Sequence, residues 1–192
     1  MANVDRPNGL RPVTTLSGGP WMGHVRSFPV DSSNGTAIFR GDAIILEDDG
    51  NVAPYASGGG VLLGVCVGAE VARAVAATEH PGYLPASTAG TVMVCVGPDV
   101  IYEIQEDSVG GAMVATNVGS NGDIAVTAGS TTTGVSKMEL DSSDVIAKDS
   151  SAASAQLLVL GLVDRPDNAI GTEAKWLVRI NESIFLHGSA GL

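Results

Sequence analysis

Apolar positions in this chain fall in short runs, and several runs repeat every second residue. In VIYEI (100–104) Val100, Tyr102 and Ile104 share one face; in AKWLVRI (174–180) Trp176, Val178 and Ile180 do so, with Lys175 and Arg179 pointing the other way. A period of two marks a half-buried strand. From Gly35 onward TAIFR, DAIILE, VLLGVCV, TVMVCV, DIAVT, VSKMEL, LLVLGLV and SIFLH complete the series, and those that are apolar throughout predict strands covered on both faces. Turn residues separate the runs, and Asp49-Gly50 within DDGN is a hairpin signal. About ten short strands at this spacing predict an all-β fold, an antiparallel β-barrel or a jelly-roll-like sandwich.

Three stretches depart from this pattern. The first 22 residues contain Pro7, Pro12 and Pro20 with Gly9, Gly18 and Gly19 and show neither period, yet they carry Val4, Leu10, Val13, Leu16 and Trp21. Proline forces extended backbone on its predecessor, so the expectation is an extended N-terminal arm over 1–34 that folds down on some surface, its own or a neighbour's, ahead of a single β domain over 35–192. AEVARAVAATE (69–79) is rich enough in alanine for a short helix, stopped by Pro81 and Gly82, with a polar loop as the alternative. Around 109–154 the composition turns to Gly, Ser, Thr, Ala and Asp without a fixed repeat, which predicts long loops around two short strands.

Composition narrows the function classes. The chain has 192 residues, 25 of them glycine, and only 4% aromatic residues, so its core must rest on Val, Ile, Leu and Ala. A net charge of −11 repels phosphate backbones and anionic lipid, which disfavours nucleic acid and membrane as partners. That charge is uneven. Residues 1–40 hold four arginines against two aspartates, leaving −13 for the remainder. No apolar run reaches bilayer-spanning length, and Asp5 and Arg6 interrupt the start where a signal peptide needs an apolar stretch; the protein is expected to be made and used without crossing a membrane. Cys66 and Cys95 lie in Val-rich runs and read as free, structural thiols, with a single disulfide as the less favoured alternative.

Candidate chemistry is thin. GGGVLLGVCVG (58–68) has its glycines before the apolar run, the reverse of a dinucleotide fingerprint, and reads as a flexible turn into a buried strand where Gly64 and Gly68 allow close backbone approach. GSTTTGVS (129–136) has P-loop spacing but Val135 stands in the lysine position, so it reads as a polar turn. Glu47, Asp48 and Asp49, and Glu106 with Asp107, lack the alternating spacing of a calcium loop and read as solvated turns. His24, His80 and His187 have no partner at metal-ligand spacing, and no G-x-S-x-G elbow is present. The residues therefore predict neither enzyme activity, metal nor cofactor.

Four segments carry a resemblance: MANVDRPNGLRPV at the start, VIYEIQEDS (100–108), TTTGVSKMELDSS (131–143) and LLVLGLVDRPDNAIGTEAKWLVRINES (157–183). In these the chain resembles virion structural proteins of tailed bacteriophages, the head decoration or cement proteins that accompany the major capsid protein. The resemblance implies a small β-barrel or jelly roll that forms homotrimers on the capsid surface of a virion, made in the host cytoplasm, with no catalytic site. On that reading the arm lies across the major capsid protein, with Leu10, Val13, Leu16 and Trp21 supplying burial and Arg6 and Arg11 meeting acidic groups. Asp164, Arg165 and Asp167 offer an ion pair between subunits, or alternatively a tight turn satisfied within its own chain. A tail- or fibre-associated module contacting host glycans is the second reading, and a small hydrolase with a dispersed site the third.

Overall fold

The computed structural model describes residues 3–58, 60–71, 82–145 and 155–186. Twelve strands lie among them: β1 (Arg11–Thr15), β2 (Val25–Val30), β3 (Ala43–Leu46), β4 (Val52–Pro54), β5 (Gly64–Val71), β6 (Gly90–Cys95), β7 (Val100–Gln105), β8 (Asn121–Gly122), β9 (Ile124–Ala125), β10 (Glu139–Leu140), β11 (Leu157–Leu162) and β12 (Lys175–Ile180). They form two five-stranded sheets, in the orders β1-β7-β12-β11-β8 and β2-β6-β5-β3-β4, and a small β10-β9 pair. Every pairing of these strands is antiparallel, and the two sheets pack as a sandwich without closing into a barrel.

The alternation read from the sequence sets the faces. Val100, Tyr102, Ile104, Trp176, Val178 and Ile180 all enter one core, where they meet Ala43, Val65 and Cys95 from the second sheet. The second sheet has a core on its other face too, where Ile44, Cys66, Val92 and Val94 pack with Ile38 and Leu84. Ile38 and Leu84 exchange both backbone hydrogen bonds, at 2.8 Å each, and so fasten the covering loops together. Two-sided cover explains why VLLGVCV and TVMVCV are apolar with so little alternation. DIAVT and VSKMEL shrink to the two-residue strands β9 and β10, and Ala69–Val71 extend β5 where a helix was one expectation; residues 72–79 of that stretch lie outside the described residues.

The N-terminal arm needs correction. Residues 11–15 form an edge of the first sheet against β7, and residues 25–30 an edge of the second against β6. A boundary at 34/35 therefore cuts through both sheets. The prolines hid these strands from a reading based on period. Pro12, Pro29 and Pro54 all sit on edge strands, where a missing N–H costs no ladder bond, and proline there also discourages pairing with foreign strands. No helix among the described residues is long and apolar enough to cross a membrane.

Candidate functional site

The outer face of β7 carries two polar side chains where a sandwich usually presents solvent-facing ones, Glu103 and Gln105, and both are buried. The N-terminal segment covers them. Arg11 stands directly opposite Glu103 across the β1-β7 ladder, and its Nη2 donates to Glu103 Oε2 at 3.0 Å. Arg165, from the loop after β11, donates through Nη1 to both oxygens of Glu103 at 3.1 and 3.3 Å, and Lys175 Nζ of β12 lies 3.9 Å away. One carboxylate thus holds three cations from three elements. Burial lowers the pKa of Lys175, the Glu103 charge opposes that shift, and the charges of Arg165 and Arg11 add to it.

Two residues along, Gln105 organises the opposite sign. Its Oε1 accepts the backbone N–H of Arg6 at 3.0 Å, which fixes the amide so that Nε2 faces Asp5, Glu139 and Glu173 at 3.1, 3.4 and 2.8 Å. The three carboxylates lie within 4.8 Å of one another, close enough to hold a metal ion. A donor already occupies their centre, and a cation there would have to displace the amide. Asn3 completes the clasp by bonding the carbonyls of Ala169 and Thr172, both at 2.8 Å, and the amide of Ala169 at 3.0 Å. The resulting cleft, of about 530 Å³, holds Arg6, Arg11, Arg165 and Lys175, four of the ten basic residues in an acidic chain.

The structure sorts the residues expected to grip a capsid. Leu10 is 1% exposed in the main core and so is closed to a partner, whereas Trp21 is half-buried against that core. Val13 and Leu16 point outward, 43% and 53% exposed, and Val4 and Met22 are more exposed still. Val13 occupies a β-bulge between Pro12 and Thr14, a device that re-aims a side chain. Arg6 is exposed; Arg11 has 61% of its side chain exposed although it is paired within the chain. Arg165 pairs within its own chain with Glu103 and lies 3.5 Å from Asp167, the arrangement that the turn alternative describes; Asp164 and Asp167 are exposed on that turn.

Other candidates resolve into structure. Gly58 and Gly60 adopt positive φ in a turn ahead of buried Leu62 and Leu63, and Ser130 exchanges backbone bonds with Gly134 and Val135 in a tight turn. Glu47, Asp48 and Asp49 cap the β3-β4 hairpin, where Gly50 N donates to Glu47 O at 3.0 Å. Glu106 was expected in a solvated turn, but it is fully buried and accepts from Met113 N at 2.8 Å and Trp176 Nε1 at 3.3 Å. Cys66 and Cys95 are free and buried, and burial pushes the Cys66 thiol up to about 12. His24 stands 4.0 Å from Asp99; His80 and His187 lie outside the described residues. No protein-family model matches the chain, and no curated protein or solved structure shows significant similarity to it.

Two carboxyls give the fold a pH dependence. Burial raises Asp42 to about 6 against the bonds from Ser136 and the Phe39 amide, and burial with the charges of Asp5, Glu173 and Asp107 raises Glu139 to about 7. Both protons are held more tightly in the folded than in the unfolded chain. Their stabilisation is complete below the ordinary carboxyl range and is lost as pH climbs through about 4 to 7. The thermal midpoint is therefore expected to be higher at pH 5 than at pH 8, with Asp42 contributing about 1.4 kcal/mol over that interval. Glu139→Gln should flatten the upper part of that decline in a calorimetric pH series; an unchanged profile would remove Glu139 as its source.

Proposed function

We propose that the protein is a non-catalytic decoration protein of a phage head, which binds the shell of major capsid protein through the outward side of residues 4–22. The observation that carries this reading is the division of that segment. Leu10 and Thr15 lock it to its own domain, while Val4, Val13, Leu16 and Met22 leave apolar surface uncovered beside Arg6 and the exposed stem of Arg11. Exposed large apolar groups next to charge mark an interaction surface. The free edge of β1 adds main-chain donors and acceptors for a strand of the partner, except at Pro12. The acidic remainder faces away from the shell and keeps the coat soluble.

A homotrimer on the three-fold positions of the lattice divides the contact into equivalent parts, so that individually modest interfaces add to firm attachment. Co-sedimentation with purified empty heads tests the reading. Val13→Asp with Leu16→Asp is expected to weaken head binding by about tenfold or more, since a buried aliphatic side chain is worth about 1.5–3 kcal/mol. The same variant should melt within a degree or so of the parent protein, because neither side chain is in a core. Undiminished binding of the variant, or binding to cells in place of heads, would sink the capsid reading, and the latter would favour the glycan-contacting alternative.

A further inference from the structure

A second cleft, of about 580 Å³, opens between the N-terminal segment and the second sheet, with Leu10 and Cys66 buried beneath it. Backbone hydrogen bonds lace its walls together. The Leu10 amide donates to Gly41 O at 2.9 Å, the Gly41 amide to Cys66 O at 2.7 Å, and the Ser136 amide to Arg40 O at 2.9 Å. Segments far apart in sequence are thus fixed against one another, so the cleft needs little ordering before a ligand enters. Pro12, Trp21, Val67 and Val135, each half-buried, give it apolar sides. Val67 occupies a bulge of β5 between Cys66 and Gly68.

Charge gives the cleft its character. Arg11 and Arg40 line it and, among the described residues that do so, none is Asp or Glu, in a chain with a net charge of −11. Arg40 is exposed, and its guanidinium has neither a hydrogen bond nor an ion pair among the described residues. Its backbone is nevertheless anchored, because its amide donates to Gly134 O at 3.3 Å while its carbonyl takes the Ser136 amide. Asp42, two residues on, is buried and accepts the Phe39 amide through Oδ2 at 2.7 Å. Arg11 gives one nitrogen to Glu103 and keeps 61% of its side chain exposed, which leaves further N–H donors for a second carboxylate.

We propose that this cleft seats a short acidic segment of the shell protein, with a Glu or Asp side chain between Arg11 and Arg40 and an aliphatic neighbour against Trp21 and Val67. The inference rests on the shell-binding reading and names the chemistry that the shell must offer. Leu10, Arg11, Pro12 and Trp21 belong to the segment already assigned to that contact, so the cleft continues the same surface. A planar guanidinium meets a carboxylate through two parallel hydrogen bonds, and two such groups over apolar walls select an acid carried beside a greasy residue. Nucleic acid offers phosphate without that neighbour, and the acidic body repels it.

The test uses the full chain. Binding of the peptide acetyl-Leu-Glu-Val-Glu-Leu-amide is followed through the emission of Trp21, over a constant background from Trp176, the other tryptophan, which is fully buried. Emission should change to saturation. The peptide with both Glu replaced by Gln, and Arg40→Gln with the original peptide, should each bind about tenfold more weakly. Arg26→Gln removes the same charge from an exposed position on β2, outside the cleft, and should bind like the parent. Co-sedimentation with empty heads should follow the same order, with Arg40→Glu weakest and its thermal midpoint unchanged, since the Arg40 guanidinium holds no partner. Equal binding of heads by the parent and Arg40→Glu would remove the cleft and leave the shell reading intact. Heads bound by neither, with the Glu peptide still preferred, would remove the shell reading and keep the cleft as an acidic-peptide site. No emission change at millimolar peptide, equal affinity for the Glu and Gln peptides, or tighter binding of a single-stranded oligonucleotide would overturn the proposal.

Discussion

Deleting residues 1–16 is expected to lower the folding stability by about 5 kcal/mol or more, a drop of about 10–20 °C in thermal midpoint. The loss has three sources. Leu10 leaves the main core, which alone is worth about 2–5 kcal/mol. The β1-β7 ladder disappears and bares the backbone of β7, and the carbonyl of Gly41, ahead of β3, loses the Leu10 amide that donates to it at 2.9 Å. Glu103 loses Arg11, and Gln105 loses both the Arg6 amide and Asp5, so two buried polar side chains are left short of partners. Calorimetry on the truncated chain checks this, and a midpoint within a few degrees of the parent would show that the segment is a dispensable arm after all. The deletion is for the same reason a poor probe of shell binding, and substitutions at Val13 and Leu16 separate binding from folding.

Gly64→Ala is expected to cost about 3–4 kcal/mol, whereas Gly68→Ala, four residues along the same strand, should cost less than about 1 kcal/mol. A Cβ on Gly64 would overlap the carbonyl of Cys95 on the neighbouring β6, with the carbonyl carbon at 2.9 Å and Val94 Cγ1 equally near. Backbone cannot step aside in the middle of a sheet without breaking its ladder. At Gly68 the atom in the way is the terminal methyl of Met93, a flexible side chain that is 42% exposed and free to turn outward. Chemical denaturation of the two variants tests the contrast, and equal costs would refute it.

Much of this fold was legible because strands announce themselves locally. Trp176, Val178 and Ile180 fall on one face whatever they pair with, and Gly64 inside an apolar run signalled close backbone approach before the partner was known. The first thirty residues were not legible as strands, because Pro12, Val13 and Pro29 break the period at an edge and a bulge where the sheet tolerates it. Polar groupings were the least legible. Glu103 finds Arg165 across 62 residues and Arg11 across 92, and Gln105 finds Glu173 across 68, only because distant segments meet on one sheet face. Arg165 looked open to a pair with another subunit for that reason: its partner lies in a different strand, and nothing in DRPDN points to it.

Placing the opening residues in both sheets has a consequence for how the chain comes off the ribosome. The first thirty residues emerge before anything they bind: β2 must wait for β6, β1 for β7, and β7 for β12 near the far end. Such distant pairing slows folding, because loop closure must precede any reward from contact. Translation should therefore have passed β12 before the nascent polypeptide resists protease, and chains stalled before residue 175 should remain cleavable within residues 1–30.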